Sequence, residues 1–487
     1  MSTQLKNLVV VLPGISGSVL EKDGREVWSP SVGAIGRGLL TGGDSIRSLK
    51  INRETGKPDL GDGVVATRLI PDARLIPGLI KIDGYTKLIN KLKAAFQIVM
   101  LPDGTAGNLL EFPYDWRRDN RVSAAALKDR IDRKLQEWRK VSPKAKTILV
   151  GHSMGGIVSR YYLEVLGGWL DCRALITLGT PYRGSLDALG YLANGYKGFS
   201  FLGNLTDTIR SFPSSYQLLP RYEAVKVGNS FQRPAETENL PNLDFAMAKD
   251  ALKFHHEIDE AIEKNKQEEF YDNMLIFPLV GINQPTLQSA NFEGGVLTVS
   301  EALPEAYDPI LSQGDGTVPR LSATPIELSE KQREVFYAER HASLQNHDDL
   351  LVHLCAKIEE LQRAEGMGNI RGPESGIGSA SQPAVSLGLD DLYIADEPVT
   401  LRVRVTPDAD PEPPVGSIWP VNPIVKPVSG PIAATFVRDK ASDGWTAVVP
   451  NIVPGVYRVE VSAPGSTGAR PVHDVFEVVG KDVVDGQ

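Results

Sequence analysis

Thr147-Ile148-Leu149-Val150-Gly151-His152-Ser153-Met154-Gly155-Gly156 is the stretch that decides the fold, because an apolar run breaks into G-x-S-x-G and a helical pattern opens at Ile157. A strand that turns sharply into a helix through this motif holds its serine in strained backbone geometry. The flanking positions must then be glycine so that strand and helix can pass without collision. The turn lifts Ser153 clear of the sheet, and the amide of Met154 points to where an oxyanion would form.

Outward from the elbow, a serine nucleophile requires a base, and the chain holds seven histidines. In the α/β-hydrolase order the acid and then the histidine follow the serine, each on a loop after a late strand. His152 lies inside the elbow and is excluded. His255 and His256 fall in a polar helical run, Phe254 to Lys266, and read as solvated surface. His473 lies in a separate C-terminal module. His353 sits in a helix with the apolar stripe Leu350, Leu351, Leu354, Ile358 and Leu361 and reads as exposed. That leaves His341 and His347. His347 is at the loop-to-helix junction after the strand-like run Glu334 to Ala338, and position favours it; Asp348 and Asp349 beside it suit a helix N-terminus rather than the role of acid. The acid candidate is Asp315 in Gly314-Asp315-Gly316-Thr317-Val318-Pro319, where a tight loop can present a carboxylate to an imidazole. The first apolar strand, Leu8 to Leu12, ends in Pro13-Gly14-Ile15-Ser16-Gly17-Ser18, and the Ile15 amide is the candidate second oxyanion donor.

Several runs together resemble the lecithin:cholesterol acyltransferase family: Pro13 to Ser18 with Leu20-Glu21, Phe112-Pro113-Tyr114-Asp115-Trp116-Arg117, Gly151 to Gly156, Leu178-Gly179-Thr180-Pro181, Ser215-Tyr216-Gln217-Leu218-Leu219-Pro220 and Gly314 to Pro319. The resemblance spans roughly residues 5 to 360, and the acid-to-histidine interval of about thirty residues is similar to the family's when it is counted to His347. It implies a triad of Ser153, Asp315 and His347, oxyanion donors Ile15 and Met154, and an acyl site lined by Tyr114, Asp115, Trp116 and Arg117. The implied activity is that of a lipase, phospholipase or acyltransferase on lipid esters through an acyl-enzyme. A non-lipid ester or thioester as substrate, transfer to an alcohol, and an inactive scaffold are the alternatives. Eukaryotic members of the family are typically secreted or membrane-attached with structural disulfides; this chain has two cysteines, Cys172 and Cys355, expected to be buried thiols.

Composition narrows the partners. A net charge of -9 offers no basic face for nucleic acid and no electrostatic pull toward anionic lipid. No apolar run is long enough for a membrane span, and the N-terminus runs directly into the first strand, which points to a cytoplasmic setting. Neither a metal-ligand pattern nor a phosphate loop is present, so no cofactor is expected.

The chain organisation is that of an α/β-hydrolase domain over 1–362, with a mostly parallel sheet, an excursion at about 28–83 and a helical cap or lid at about 183–271. The apolar residues Leu186, Leu189, Leu192, Tyr196, Phe199, Phe201 and Leu202 make the cap a candidate acyl groove or lipid contact. Tyr85 to Ala95 and Ser123 to Arg139 read as helices, the second with an apolar face of Ala126, Leu127, Ile131, Leu135 and Trp138. A Gly, Ser and Pro linker is expected over 363–384. Alternating runs such as Val399 to Val405 and Val456 to Val461 then predict about six or seven strands of an immunoglobulin-like or fibronectin III-like sandwich over 385–487. Its expected work is to bind a protein partner or to pack on the catalytic domain.

Overall fold

The computed structural model describes residues 3–28, 48–76, 80–195, 203–328, 335–363, 383–407, 412–421, 430–439, 444–466 and 468–480. Its centre is a six-stranded sheet in the spatial order Val335–Tyr337, Leu275–Gly281, Cys172–Leu178, Thr147–His152, Leu8–Leu12, Leu109–Glu111, with every neighbouring pair parallel. Leu8–Leu12 is apolar at every position because helices cover both faces of the sheet; all five residues are buried. Each such side chain removed from water stabilises the fold by roughly 1.5–3 kcal/mol before the entropy of ordering is subtracted.

The strand order reverses between Leu8–Leu12 and Thr147–His152. In open parallel sheets the crevice at such a reversal, beyond the carboxyl ends of the strands, is where ligands bind. The Pro13 loop and Ser153 both emerge there.

The helices Thr86–Ala95, Asn120–Trp138, Met154–Glu164 and Asp348–Arg363 pack on the sheet core. The second begins earlier than its periodicity predicts, because the Asp119 carboxylate caps it by accepting from the Arg121 amide. Its inward stripe is Ala124, Leu127, Ile131, Leu135 and Trp138, with Ala124 in place of the expected Ala126. The cap region carries helices Leu186–Asn194 and Phe245–Asn265 together with a small four-stranded sheet. Leu186, Leu189 and Leu192 are fully buried against Tyr216, Leu219 and Val225, so they form the interior of the cap rather than an outer lipid contact. Tyr196, Phe199, Phe201 and Leu202 lie outside the described residues, as does most of the expected linker. Among the described residues the early excursion adds Val64–Leu69 to a three-stranded sheet with Ser18–Lys22 and Arg25–Trp28, and it holds the antiparallel pair Ala73–Ile76 and Ile80–Asp83.

The C-terminal region is all-β, with a four-stranded and a five-stranded sheet that are antiparallel except for one parallel edge pairing. Its nine described strands exceed the six or seven expected, because short pieces such as Leu392–Ile394 and Val437–Asp439 carry too few residues to show alternation. Cys172 and Cys355 are buried free thiols, and burial pushes them up to about 12 and about 11. Among the described residues no helix is long and apolar enough to cross a membrane, and no group of histidine, cysteine and carboxylate side chains could hold a metal ion.

Candidate active site

Ser153 ends the strand Thr147–His152 with φ 51 and ψ -125, a backbone state that a non-glycine residue occupies only under strain. The glycines around it are required by space. A Cβ on Gly151 would lie 2.8 Å from Gly156 Cα, one on Gly155 2.5 Å from the Pro13 carbonyl, and one on Gly156 2.0 Å from Thr180 Oγ1. Thr180 in turn donates to the Ser153 carbonyl at 2.9 Å, which ties the strained residue to the neighbouring strand's loop.

Asp315 stands in the turn at Gly314. One carboxylate oxygen accepts from the Thr317 and Val318 amides at 3.0 and 2.7 Å, which leaves the other to face an imidazole. That imidazole is His341: its Nδ1 lies 2.7 Å from Asp315 Oδ2 and its Nε2 lies 2.9 Å from Ser153 Oγ. Because an ionised carboxylate only accepts, Nδ1 carries the proton and Nε2 is left as the acceptor for the serine hydroxyl. The His341 amide also donates to the Asp315 carbonyl at 2.8 Å. Gly179 explains the Leu178 to Pro181 motif: with φ +56, a Cβ there would stand 2.8 Å from Asp315 Oδ2 and 3.0 Å from His341 Nδ1.

The expectation for His347 is therefore corrected. The structure brings Ser153 and Asp315 together with His341, while His347 ends the short turn His341–Asn346 and starts the helix Asp348–Arg363. Its Nδ1 accepts from the Leu350 amide at 3.3 Å and its ring packs on Tyr337, so it works as a helix cap. Burial holds its pKa below the ordinary histidine value. The signal that identifies the right residue is nearness to the last sheet strand: the chain leaves Val335–Tyr337 and reaches its carboxyl-end crevice within the next few residues, at His341.

His255 differs from its expected surroundings. His255 is buried, with Nε2 2.9 Å from the Gln217 carbonyl, and burial, aided by Arg221, pushes it down to about 3. His152 stands beside the line of Ser153, His341 and Asp315. Its Nδ1 accepts from the Tyr85 hydroxyl at 2.8 Å, and its Nε2 faces the His341 carbonyl at 3.3 Å. Tyr85 accepts from the Gly14 amide at 2.8 Å. Burial and the neighbouring His341 push His152 down to about 3, so it stays neutral, as a ring accepting at Nδ1 and donating at Nε2 must be. Sequence reasoning passed over Tyr85, which carries no motif of its own.

The Pro13 to Ser18 loop stands against Ser153: a Cβ on Gly14 would lie 2.9 Å from Ser153 Cβ and 3.5 Å from its Oγ. Tyr114, Asp115, Trp116 and Arg117 brace this region from behind. The Tyr114 hydroxyl donates to the Pro13 carbonyl at 2.9 Å, and Trp116 Nε1 donates to the Ser18 carbonyl at 3.1 Å. Arg117 forms a bidentate pair with Asp115 and also reaches Asp62. Their polar atoms are thus engaged within the protein, where they brace the Pro13 to Ser18 loop. Gln217, from the Ser215 to Pro220 run, joins the same frame by bonding the Asn120 amide and Asp119.

Ser153, His341 and Asp315 are 6 %, 4 % and 1 % exposed, so the hydrogen bonds between them are largely shielded from water. An arrangement of this kind can draw the proton from Ser153 as the oxygen attacks a carbonyl, with the imidazolium stabilised by Asp315. Fold and site together define an α/β-hydrolase fold with a serine at its elbow. Residues 81–288 match the family model of lecithin:cholesterol acyltransferase, a range that contains Ser153 and stops short of Asp315 and His341. Among solved structures, the chain is similar to the Bacillus licheniformis lipase BlEst2 in its propeptide form, at 14 % identity and a TM-score of 0.36, over 96 % of this chain and 74 % of that one. The mature form of the same lipase aligns over 74 % of this chain and 94 % of its own, at 14 % identity and a TM-score of 0.34. No curated protein matches the chain.

Proposed function

We propose that this protein is a serine esterase of the lipase or phospholipase kind, acting on lipid esters through an acyl-enzyme at Ser153. The observation that carries the reading is the hydrogen-bonded line Ser153 Oγ, His341 Nε2, His341 Nδ1, Asp315 Oδ2, with distances of 2.9 and 2.7 Å. His341 takes the serine proton as Ser153 attacks the ester carbonyl, and returns it to the departing alcohol. The amides of Ile15 and Met154 hold the tetrahedral oxyanion. That role for Ile15 is supported by the contact of its loop with Ser153 and by the engagement of the preceding Gly14 amide with Tyr85.

The lipid character of the substrate is supported by the match of residues 81–288 to the lecithin:cholesterol acyltransferase model. The same match supports transfer of the acyl group to an alcohol as a second outcome of the one acyl-enzyme. The deciding experiment incubates the purified protein with phospholipids and neutral lipid esters bearing labelled acyl chains, with and without an alcohol acceptor. Label in free fatty acid, or in a new ester when the acceptor is present, is the expected result; wild-type protein that releases no label from any lipid while hydrolysing a thioester or a non-lipid ester would overturn the lipid assignment.

A further inference from the structure

We infer that the C-terminal sandwich is a working part of the active site, because it holds the loop that carries His341 and thereby sets where the imidazole stands. The inference rests on the proposed role of His341 and names the residues that position it.

Glu339 and Arg340 immediately precede His341, and both are gripped by consecutive residues of one sandwich strand, Val472–Val479. The Glu339 side chain has no exposure, and a buried carboxylate must be paired. Its Oε1 accepts from the Arg340 amide and from the His473 amide, both at 2.8 Å, and its Oε2 lies 2.8 Å from His473 Nδ1. One carboxylate thus clamps the backbone of the histidine loop to the backbone of the sandwich. Arg340 continues across the boundary: Nε lies 2.8 Å from Asp474, itself without exposure, and Nη1 donates to the Leu387 carbonyl at 2.6 Å. Lys81 supplies the second cation to Asp474 at 3.0 Å. On the other side of His341, Ala342 is buried in a cluster with Val421, Val456 and Val475 of the sandwich.

The loop of the acid is tied in the same way. Gln284, fully buried, donates from Nε2 to the Val385 carbonyl at 2.9 Å and accepts at Oε1 from the Leu387 amide at 3.0 Å, so it pairs like one more rung of the sandwich's first strand. Its own amide donates to the Gly314 carbonyl, one residue before Asp315. Both partners of Ser153 are therefore positioned against the same β-module. A misplacement of about 1 Å at a reacting group can cost about 100-fold in rate, which makes the rate of the serine step the right readout.

The test compares full-length Asp474→Asn and Glu339→Gln with Arg458→Met. Arg458 ties the sandwich to Asp83 and Asp72 and reaches the His341–Asn346 turn only at its far end, through Asp83, whose carbonyl accepts from Asn346. With a water-soluble short-chain ester, Asp474→Asn and Glu339→Gln are expected to lower kcat by about 10- to 100-fold with KM changed less than about threefold, and to slow fluorophosphonate labelling of Ser153 in parallel. Arg458→Met should lower Tm while leaving kcat near wild type. Arg340→Lys, which keeps the charge facing Asp474, should recover part of the rate that Arg340→Met loses. Should Asp474→Asn fail to fold, Glu339→Gln, which keeps a neutral acceptor, decides the matter. Equal kcat in all three variants, or a loss in Arg458→Met as large as in the other two, would overturn the inference, as would a rate gain when the clamp is removed. Wild-type protein without esterase activity or Ser153 labelling would instead defeat the functional reading itself.

Discussion

His341→Ala and His347→Ala, measured side by side, separate the geometry of this site from its motif spacing. In the first variant Ser153 loses the acceptor 2.9 Å from its hydroxyl. Among the described residues no neighbour replaces it: the His152 ring centroid is 5.1 Å from that of His341, its Nδ1 is occupied by Tyr85, and its depressed pKa of about 3 makes it a poor base. The loss should therefore approach that of complete triad removal, a fall in kcat of at least about 10⁴-fold. At about 1.36 kcal/mol per factor of ten this is about 5.4 kcal/mol of transition-state stabilisation. His347→Ala removes a side-chain cap from the helix Asp348–Arg363, which costs about 0.5–2 kcal/mol of stability and leaves kcat within about threefold. The assay is steady-state hydrolysis of a chromogenic ester by purified, folded variants, with thermal melts to report stability. A near-normal kcat for His341→Ala combined with a collapse for His347→Ala would refute the assignment.

Further outcomes follow from single contacts. Asp315→Asn should lower kcat by about 10⁴-fold with little change in KM, since the amide can place the wrong tautomer on His341; a change confined to KM would contradict this. Gly179→Ala introduces a Cβ at φ +56 within 3.0 Å of both Asp315 and His341, and should cost both stability and rate, whereas wild-type kinetics would show that the contact is slack. Tyr85→Phe leaves the Gly14 amide and His152 Nδ1 without their partner, at about 1–3 kcal/mol for each buried group, and should lower both Tm and kcat. The pH dependence of stability has a defined sign at His473. Burial lowers its pKa, but the facing carboxylates of Glu339, Glu460 and Asp83 outweigh burial and the nearby His347 and raise it above its ordinary 6.5. The stability it contributes is fully present below about pH 6.5 and is lost as pH rises through the raised folded value. The Tm gap between wild type and His473→Gln should thus be widest on the acid side of that value and shrink above it; a gap that grows with alkalinity would refute the pairing.

The elbow was fully legible in the sequence, because only a strained serine between glycines that meet a neighbouring strand requires that pattern, and the apolar strands announced a sheet covered on both faces. Asp315 was legible for a similar reason: its turn leaves one carboxylate oxygen facing outward. The histidine that meets Ser153 was not, since two candidates lie close together in sequence and spacing alone cannot tell which one reaches the serine and which one caps a helix. What separates them is the short reach from the strand Val335–Tyr337, a three-dimensional constraint. The bracing roles of Tyr114 to Arg117 were hidden because an aromatic and charged run reads equally well as a binding surface or a buried frame until its hydrogen bonds are known. His473 illustrates the same limit at long range: a histidine in an alternating strand gives no sign that it faces Glu339, 134 residues away.

The most direct measurement is peptide mass analysis of the protein quenched during turnover of a lipid ester. An acyl mass on the peptide containing Ser153, absent in Ser153→Ala and diminished in His341→Ala, is the predicted result. Turnover without any adduct on that peptide, or with the acyl group on a different residue, would contradict the account.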